Sequence, residues 1–360
     1  MNHLIINDRL FRSTLFIAAA FIIIHGLMAA QAFVTIMLLA IFLSLIGVHP
    51  VYLLDKKKIP HWLSVTLVLT GYLLIISGLS SIVGSSVSSF TSHLSKYEDH
   101  LSVTLNSLSE SLKPYGLELS PQKLTQLFNP AKVFSFTALA LGQLGNVMSN
   151  MALVFFIVMF ILLEMNDIAL KAKVIGSTSS KKKNLTSLSE IEKSLRHYLF
   201  IKTLTSLATG FLITFSLWII GVEYPFLWGL IAFLLNYIPN IGSIIAAIPA
   251  MLFTWIQLGF VPAVWTTVIY VIVNTLIGYF VEPKVMGKGM GLSSLVVFLS
   301  LIIWGYVLGI VGMFLSVPLT MAIKIILENS ESTKPLAAML GTREDALNLF
   351  QKNLKKQKDR

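Results

Sequence analysis

Residues Asn236–Pro249 read NYIPNIGSIIAAIP and lie inside the charge-free run Tyr224–Val281. An apolar run of that length points to membrane helices, yet Pro239, Asn240, Gly242 and Pro249 interrupt it. Proline removes a backbone donor and clashes with the preceding turn, and glycine weakens a helix further. In hydrocarbon, broken backbone is tolerated only against other protein or a wet cavity. The stretch is therefore expected to form the tip of a re-entrant hairpin and to border a substrate path.

The flanking lengths agree with that reading. Phe226–Ile238 and Ser243–Leu258 hold 13 and 16 residues. As helices they reach roughly 20 and 24 Å, too short to cross a hydrocarbon core of about 30 Å. They fit a hairpin over 226–259 that enters and leaves by one face, followed by a full span, Ala263–Val281. Gly289–Ile323 must then go out and back, with Trp304-Gly305-Tyr306 as its outer turn, and is a candidate second hairpin or a pair of spans. Gly312 and Pro318 faintly echo Gly242 and Pro249.

The whole chain carries the same signal. It has 360 residues, 55% of them hydrophobic and 12% charged, with a mean hydropathy of +0.80. That is about half the usual charged share. Further charge-free runs cover Ser13–Leu54, Ile59–Ser95, Val133–Leu163 and Thr203–Val222. One span needs about 20 apolar residues, so the expected fold is an all-α polytopic membrane protein of about 6–8 transmembrane helices. It should contain one or two re-entrant helical hairpins and a small extracytoplasmic helical module.

In order, residues 1–83 form a three-span unit, with turns at Gly26–Gln31 and at the basic loop Asp55-Lys56-Lys57-Lys58. Residues 84–131 form the extracytoplasmic module, built on an amphipathic stripe of Leu94, Tyr97, Leu101, Leu105, Leu108 and Leu112. Residues 132–198 combine a long fourth span with a basic cytoplasmic segment around Lys181-Lys182-Lys183. There Ser189 and Glu192 resemble a capping box. Residues 199–327 form the transport core, and 328–360 a charged cytoplasmic tail.

The net charge is +10, but Lys and Arg concentrate in short loops beside spans. That distribution follows the positive-inside rule and sets both termini in the cytoplasm. No basic face with interleaved aromatics points to nucleic acid. The chain has no cysteine, which excludes disulfides and thiolate chemistry. No metal-ligand spacing occurs, and Gly287-Lys288-Gly289-Met290-Gly291 lacks the spacing of a phosphate loop. That glycine-rich stretch reads as a flexible hinge or mouth, and no cofactor is implied. Ser243 follows Gly242 without a second glycine, and His25 and His49 sit in no catalytic motif, so an enzyme is not expected.

The residues left to carry function are few. Asn236 and Asn240 flank Pro239 and can donate and accept hydrogen bonds, as a neutral hydroxyl-rich solute requires. Equally, these amides could serve only the broken backbone. Ser243 opens the half-helix after Gly242, where unpaired N–H groups carry positive dipole character. Asn274 should lie about two turns from Glu282, on nearly the same helix face. Near-membrane acids often mark ion pathways, so Glu282 is a candidate ion carrier. The plainer reading pairs it with Lys284. No acid lies mid-way along an apolar run, which weighs against coupled cation exchange.

Three long segments carry a resemblance: LNYIPNIGSIIAAIPA, NTLIGYFVEPKVMGKGMGLSSLVVFLSLIIWG and GMFLSVPLTMAIKIIL. Together they resemble the autoinducer-2 exporter family of bacterial membrane proteins, over roughly residues 14–330. The resemblance implies a multi-pass inner-membrane homo-oligomer moving either the small signal autoinducer-2 or sodium against protons. The leading expectation is export of a small polar signalling molecule through Asn236, Pro239, Asn240, Gly242, Ser243, Pro249 and Asn274. Glu282, Pro283, Lys284, Gly287 and Gly289 would gate the path or couple it to an ion. A cation/proton antiporter using Glu282 and an oligomeric membrane scaffold are the alternatives.

Overall fold

The computed structural model describes residues 8–92, 151–176, 182–286, 291–330, 332–347 and 351. Every regular element among them is helical. The stripe from Leu94 to Leu112, the start of the expected fourth span and both Gly287 and Gly289 lie outside the described residues.

Helices α1 (Asp8–Ala29) and α2 (Gln31–Lys56) meet at Ala30 alone, so Gly26 belongs to a helix and not to a loop. A tight turn through Lys57 and Lys58 leads to α3 (His61–Ser92). This helix was expected to end at Val83, but it runs on through the serine-rich stretch. Ser85 and Ser92 bond back to the carbonyls of Ile82 and Ser89 in the preceding turn. Such hydroxyls satisfy themselves on the helix and need not break it.

Helix α4 (Met151–Gly176) packs on α2 and α3 through Val154, Val158 and Leu162 against Ala40, Val51 and Val65. Helix α5 (Lys182–Ile220) begins well before Ser189, so the Ser189–Glu192 pattern lies inside the helix and is not a cap. Glu192 faces Arg196 across one turn at 3.7 Å instead.

The next two helices form the expected hairpin. α6 (Pro225–Leu235) and α7 (Gly242–Leu258) run back along each other, with Trp228 5.4 Å from Phe253 between ring centroids. At the open end the Glu223 N–H donates to Gln257 Oε1 at 2.9 Å, so the chain leaves where it entered. α6 is clamped to α5 where Gly210 and Gly229 cross. A Cβ on Gly229 would stand 1.8 Å from Thr214 Oγ1. Small residues allow this close approach, the usual means of joining membrane helices.

Helix α8 spans Phe260–Met286, with a π-helical stretch at Leu276–Val281. Helix α9 (Ser294–Glu328) is folded on itself at Gly309, which has φ 65° and ψ −148°. Trp304 Nε1 donates to Thr320 Oγ1 at 3.1 Å, a contact that a straight helix would forbid. The reversal is therefore at Gly309, and Trp304-Gly305-Tyr306 belongs to the first arm. A short helix, α10 (Lys334–Leu340), follows.

Among the described residues five helices are long and apolar enough to cross a membrane: Gln31–Lys56, His61–Ser86, Glu190–Ile220, Phe260–Met286 and Ser294–Glu328. Shorter apolar helices accompany them. Large side chains such as Phe211, Trp218, Phe260 and Phe280 point outward. Exposed apolar side chains on this scale belong in lipid. The chain is an all-α polytopic membrane protein.

Candidate solute cavity at the hairpin tip

Between α6 and α7 the chain leaves the helix for six residues, Asn236 to Ile241. The last turns of α6 tighten, with N–H donors of Tyr237 and Ile238 reaching the carbonyls of Leu234 and Leu235. Asn240 adopts a left-handed φ of 61°, which asparagine tolerates better than most side chains. Gly242 then lies so close to the end of α6 that a Cβ there would be 1.8 Å from the Leu235 carbonyl oxygen.

The tip is fastened to α5. Asn236 Nδ2 donates to Ser206 Oγ at 3.0 Å, and the Tyr237 hydroxyl to Thr203 Oγ1 at 2.8 Å. Phe314 of α9 lies against the Tyr237 ring, 6.0 Å between centroids. Asn236 thus spends one amide hydrogen on holding the tip. Asn240, Ser243 and Asn274 form no side-chain bond among the described residues.

All four of those residues line a cavity of about 700 Å³ between the tip, α7 and α8. Pro239, Glu282 and Pro283 also border it, while Gly242 and Pro249 are buried behind its wall. Lys284 is exposed and does not line it. Ile244, Ile248, Met251 and Val271 supply the apolar part of the lining. A mixed wall of this size suits a small organic solute, since such sites combine apolar surface with a few placed polar groups.

Glu282 is not paired with Lys284. Lys202 of α5 donates to both its carboxylate oxygens, at 2.8 and 2.9 Å, and Lys202 is only 5% exposed. The π-helical stretch just before Glu282 changes the helical register and helps bring the carboxylate to the cavity. π-bulges often occur at functional sites. The pair cancels its own charge, so the remaining polar groups of the wall are mainly neutral. Lys202 escaped sequence reasoning because it stands 80 positions from Glu282. Its one visible signal was its place as the last charge before a long apolar run.

Helical hairpins, lipid-facing aromatics and a cavity of mixed lining fit a multi-pass membrane transporter. The family model for AI-2E family transporters matches residues 12–332, and the chain belongs to that family. A provisionally named transport protein of Haemophilus influenzae is 38% identical over 343 residues, covering 94% of this chain and 99% of the relative. The AI-2 transport protein TqsA of Escherichia coli K12 is 40% identical over 225 residues, 62% of this chain and 65% of TqsA. The Escherichia coli protein YhhT is 37% identical over 225 residues, 62% of this chain and 64% of its own length. This is a family of transporters, not of enzymes.

Proposed function

We propose that this transporter exports a small, neutral, hydroxyl-bearing signalling molecule, autoinducer-2, through the cavity at the tip of the first hairpin. One observation carries the reading: the wall offers Asn240, Ser243 and Asn274 without partners of their own, while its ionic pair is self-neutralised. A sugar-like solute needs donors and acceptors side by side, and carboxamides and hydroxyls supply both. The name of the relative TqsA supports the same solute. On this reading Pro239 and Gly242 build the break, Asn236 positions it, and Asn240, Ser243 and Asn274 contact the solute.

The setting we infer is the bacterial inner membrane, with both termini cytoplasmic as the loop charges favour and with the protein assembled as a homo-oligomer. Cation/proton antiport would need Glu282 to release and rebind its ion freely. The ammonium of Lys202 bound to both carboxylate oxygens works against that.

Proteoliposome flux is the test, with labelled autoinducer-2 compared with sodium under an imposed pH gradient. Signal flux lowered by Asn274→Ala is expected. Sodium-dependent proton movement that Glu282→Gln abolishes, with no signal flux, would replace this reading with antiport. Absence of both fluxes would favour a scaffold.

A further inference from the structure

The charged chain after Glu328 reads as a solvated tail, but its first part folds against one end of the cavity. Helix α10 buries Ala337, only 1% exposed, and leans Leu340 on the cluster of Leu292, Val297 and Met321. The Leu340 carbonyl accepts the N–H of Ser293 at 3.1 Å. Thr342, just beyond, is itself part of the cavity wall, beside Gly291, Leu292 and Ser294.

One buried ammonium ties these pieces together. Lys324, 6% exposed, donates to the Gly291 carbonyl and, at 2.9 Å, to Asp345 Oδ2. The same carboxylate oxygen accepts the Thr342 N–H at 3.0 Å. Glu328 Oε1 stands 3.3 Å from the ammonium on its own helix. Lys324 therefore joins the second hairpin, the cavity wall and the tail. The matched family region ends at residue 332, before this segment begins.

We propose that residues 334–347 form a clasp that holds this end of the cavity closed, and that releasing the Asp345–Lys324 contact opens it. The proposal rests on the cavity being the solute route. Its logic is mechanical. Gly291–Ser294 form both the wall of the cavity and the anchor of the clasp, so the wall cannot move outward while the clasp is seated. Charge-assisted hydrogen bonds suit such a catch, being strong when made and lost together when one partner is removed.

The chain has no cysteine, so one introduced thiol can report on the wall directly. Full-length Leu292→Cys protein, with the thiol at a lining position only 7% exposed while the clasp is seated, would be labelled with a charged maleimide, alone and combined with Asp345→Asn. Loss of one hydrogen bond to a charged group predicts labelling about tenfold faster. An unchanged rate in monodisperse protein overturns the clasp. A second pair, Ser293→Cys with Leu340→Cys, covers the case in which Asp345→Asn fails to fold. When oxidised it should stop autoinducer-2 flux in proteoliposomes, and reduction should restore it. Full flux in the oxidised form overturns the proposal. If neither form carries autoinducer-2, the solute assignment fails while the labelling arm still decides the clasp.

Discussion

Two hairpins of similar build have turns of opposite character. In the first, Pro225–Leu258, the chain crosses six non-helical residues that include Pro239 and two asparagines. In the second, Ser294–Glu328, it reverses at Gly309 alone, amid Leu308 and Ile310. Each has a glycine pressed against its opposite arm. A Cβ on Gly242 would be 1.8 Å from the Leu235 carbonyl oxygen, and one on Gly312 1.9 Å from that of Trp304. The arms are therefore held by the same close approach, and the difference lies in the tips. A polar tip can face a solute, whereas a one-glycine tip has no side chain to offer. The first hairpin shapes the cavity with its tip, and the second adds Ser294 and Val297 to the wall and braces the tip through Phe314 and Tyr237.

The largest test concerns the ion pair at the cavity wall. Lys202→Met leaves Glu282 with no counterion, and removing one partner of a buried pair costs about 3–5 kcal/mol. Thermal unfolding in detergent should show that loss, and the double variant Lys202→Met/Glu282→Gln should recover most of it. A double variant as unstable as the single would mean that the pair is not what stabilises α5 against α8.

Next come the two glycines. Gly242→Ala and Gly312→Ala should each lower stability by about 1–3 kcal/mol, the usual cost of overpacking. Unequal losses in denaturation would break the parallel between the hairpins. The tips should then diverge. Gly309→Ala forces on alanine a backbone region that glycine alone adopts readily, costing about 1–3 kcal/mol, with flux per folded molecule unchanged. Asn240→Gly keeps the left-handed backbone and removes only the carboxamide. It should leave the melting temperature unchanged while flux falls roughly three- to tenfold, the value of one hydrogen bond. Equal flux loss at both tips would erase the distinction.

The smallest effect is acid sensitivity at the clasp. Burial raises the Asp345 pKa, but hydrogen bonds from Lys324 and the Thr342 N–H outweigh it and hold the carboxyl below its ordinary 3.8. A depressed carboxylate contributes its full stability above the unfolded value and loses it as pH falls through the folded value. Labelling of Leu292→Cys, taken relative to a free thiol at the same pH to remove the loss of thiolate, should therefore stay flat between about pH 8 and 5 and rise only below roughly pH 4. A rise near neutrality would assign the opening to another group.

Much of this could be read from residue order. The break at Asn236–Ile241 was legible because proline, glycine and asparagine act on their own backbone, whatever surrounds them. Gly309 was not, since a lone glycine in an apolar run does not by itself signal a reversal. The serine-rich stretch from Gly84 suggested the start of the extracytoplasmic module, but hydroxyls that bond to their own helix let α3 continue. Lys202 and Glu282, 80 residues apart, carry no mutual signal in one sequence. The tail was misleading for a related reason: its charges suggest solvent, whereas Asp345 and Lys324 satisfy each other.

By itself, the order of residues determined that this is a helical membrane protein with a polar break in a short-armed hairpin. Those properties follow from hydropathy and backbone chemistry, which act locally. Only tertiary structure decided which cation neutralises Glu282, where the second hairpin turns, that Asn240 and Asn274 share a cavity, and that the tail packs against one end of it. Each of these depends on groups far apart in the chain, brought together only when the helices pack.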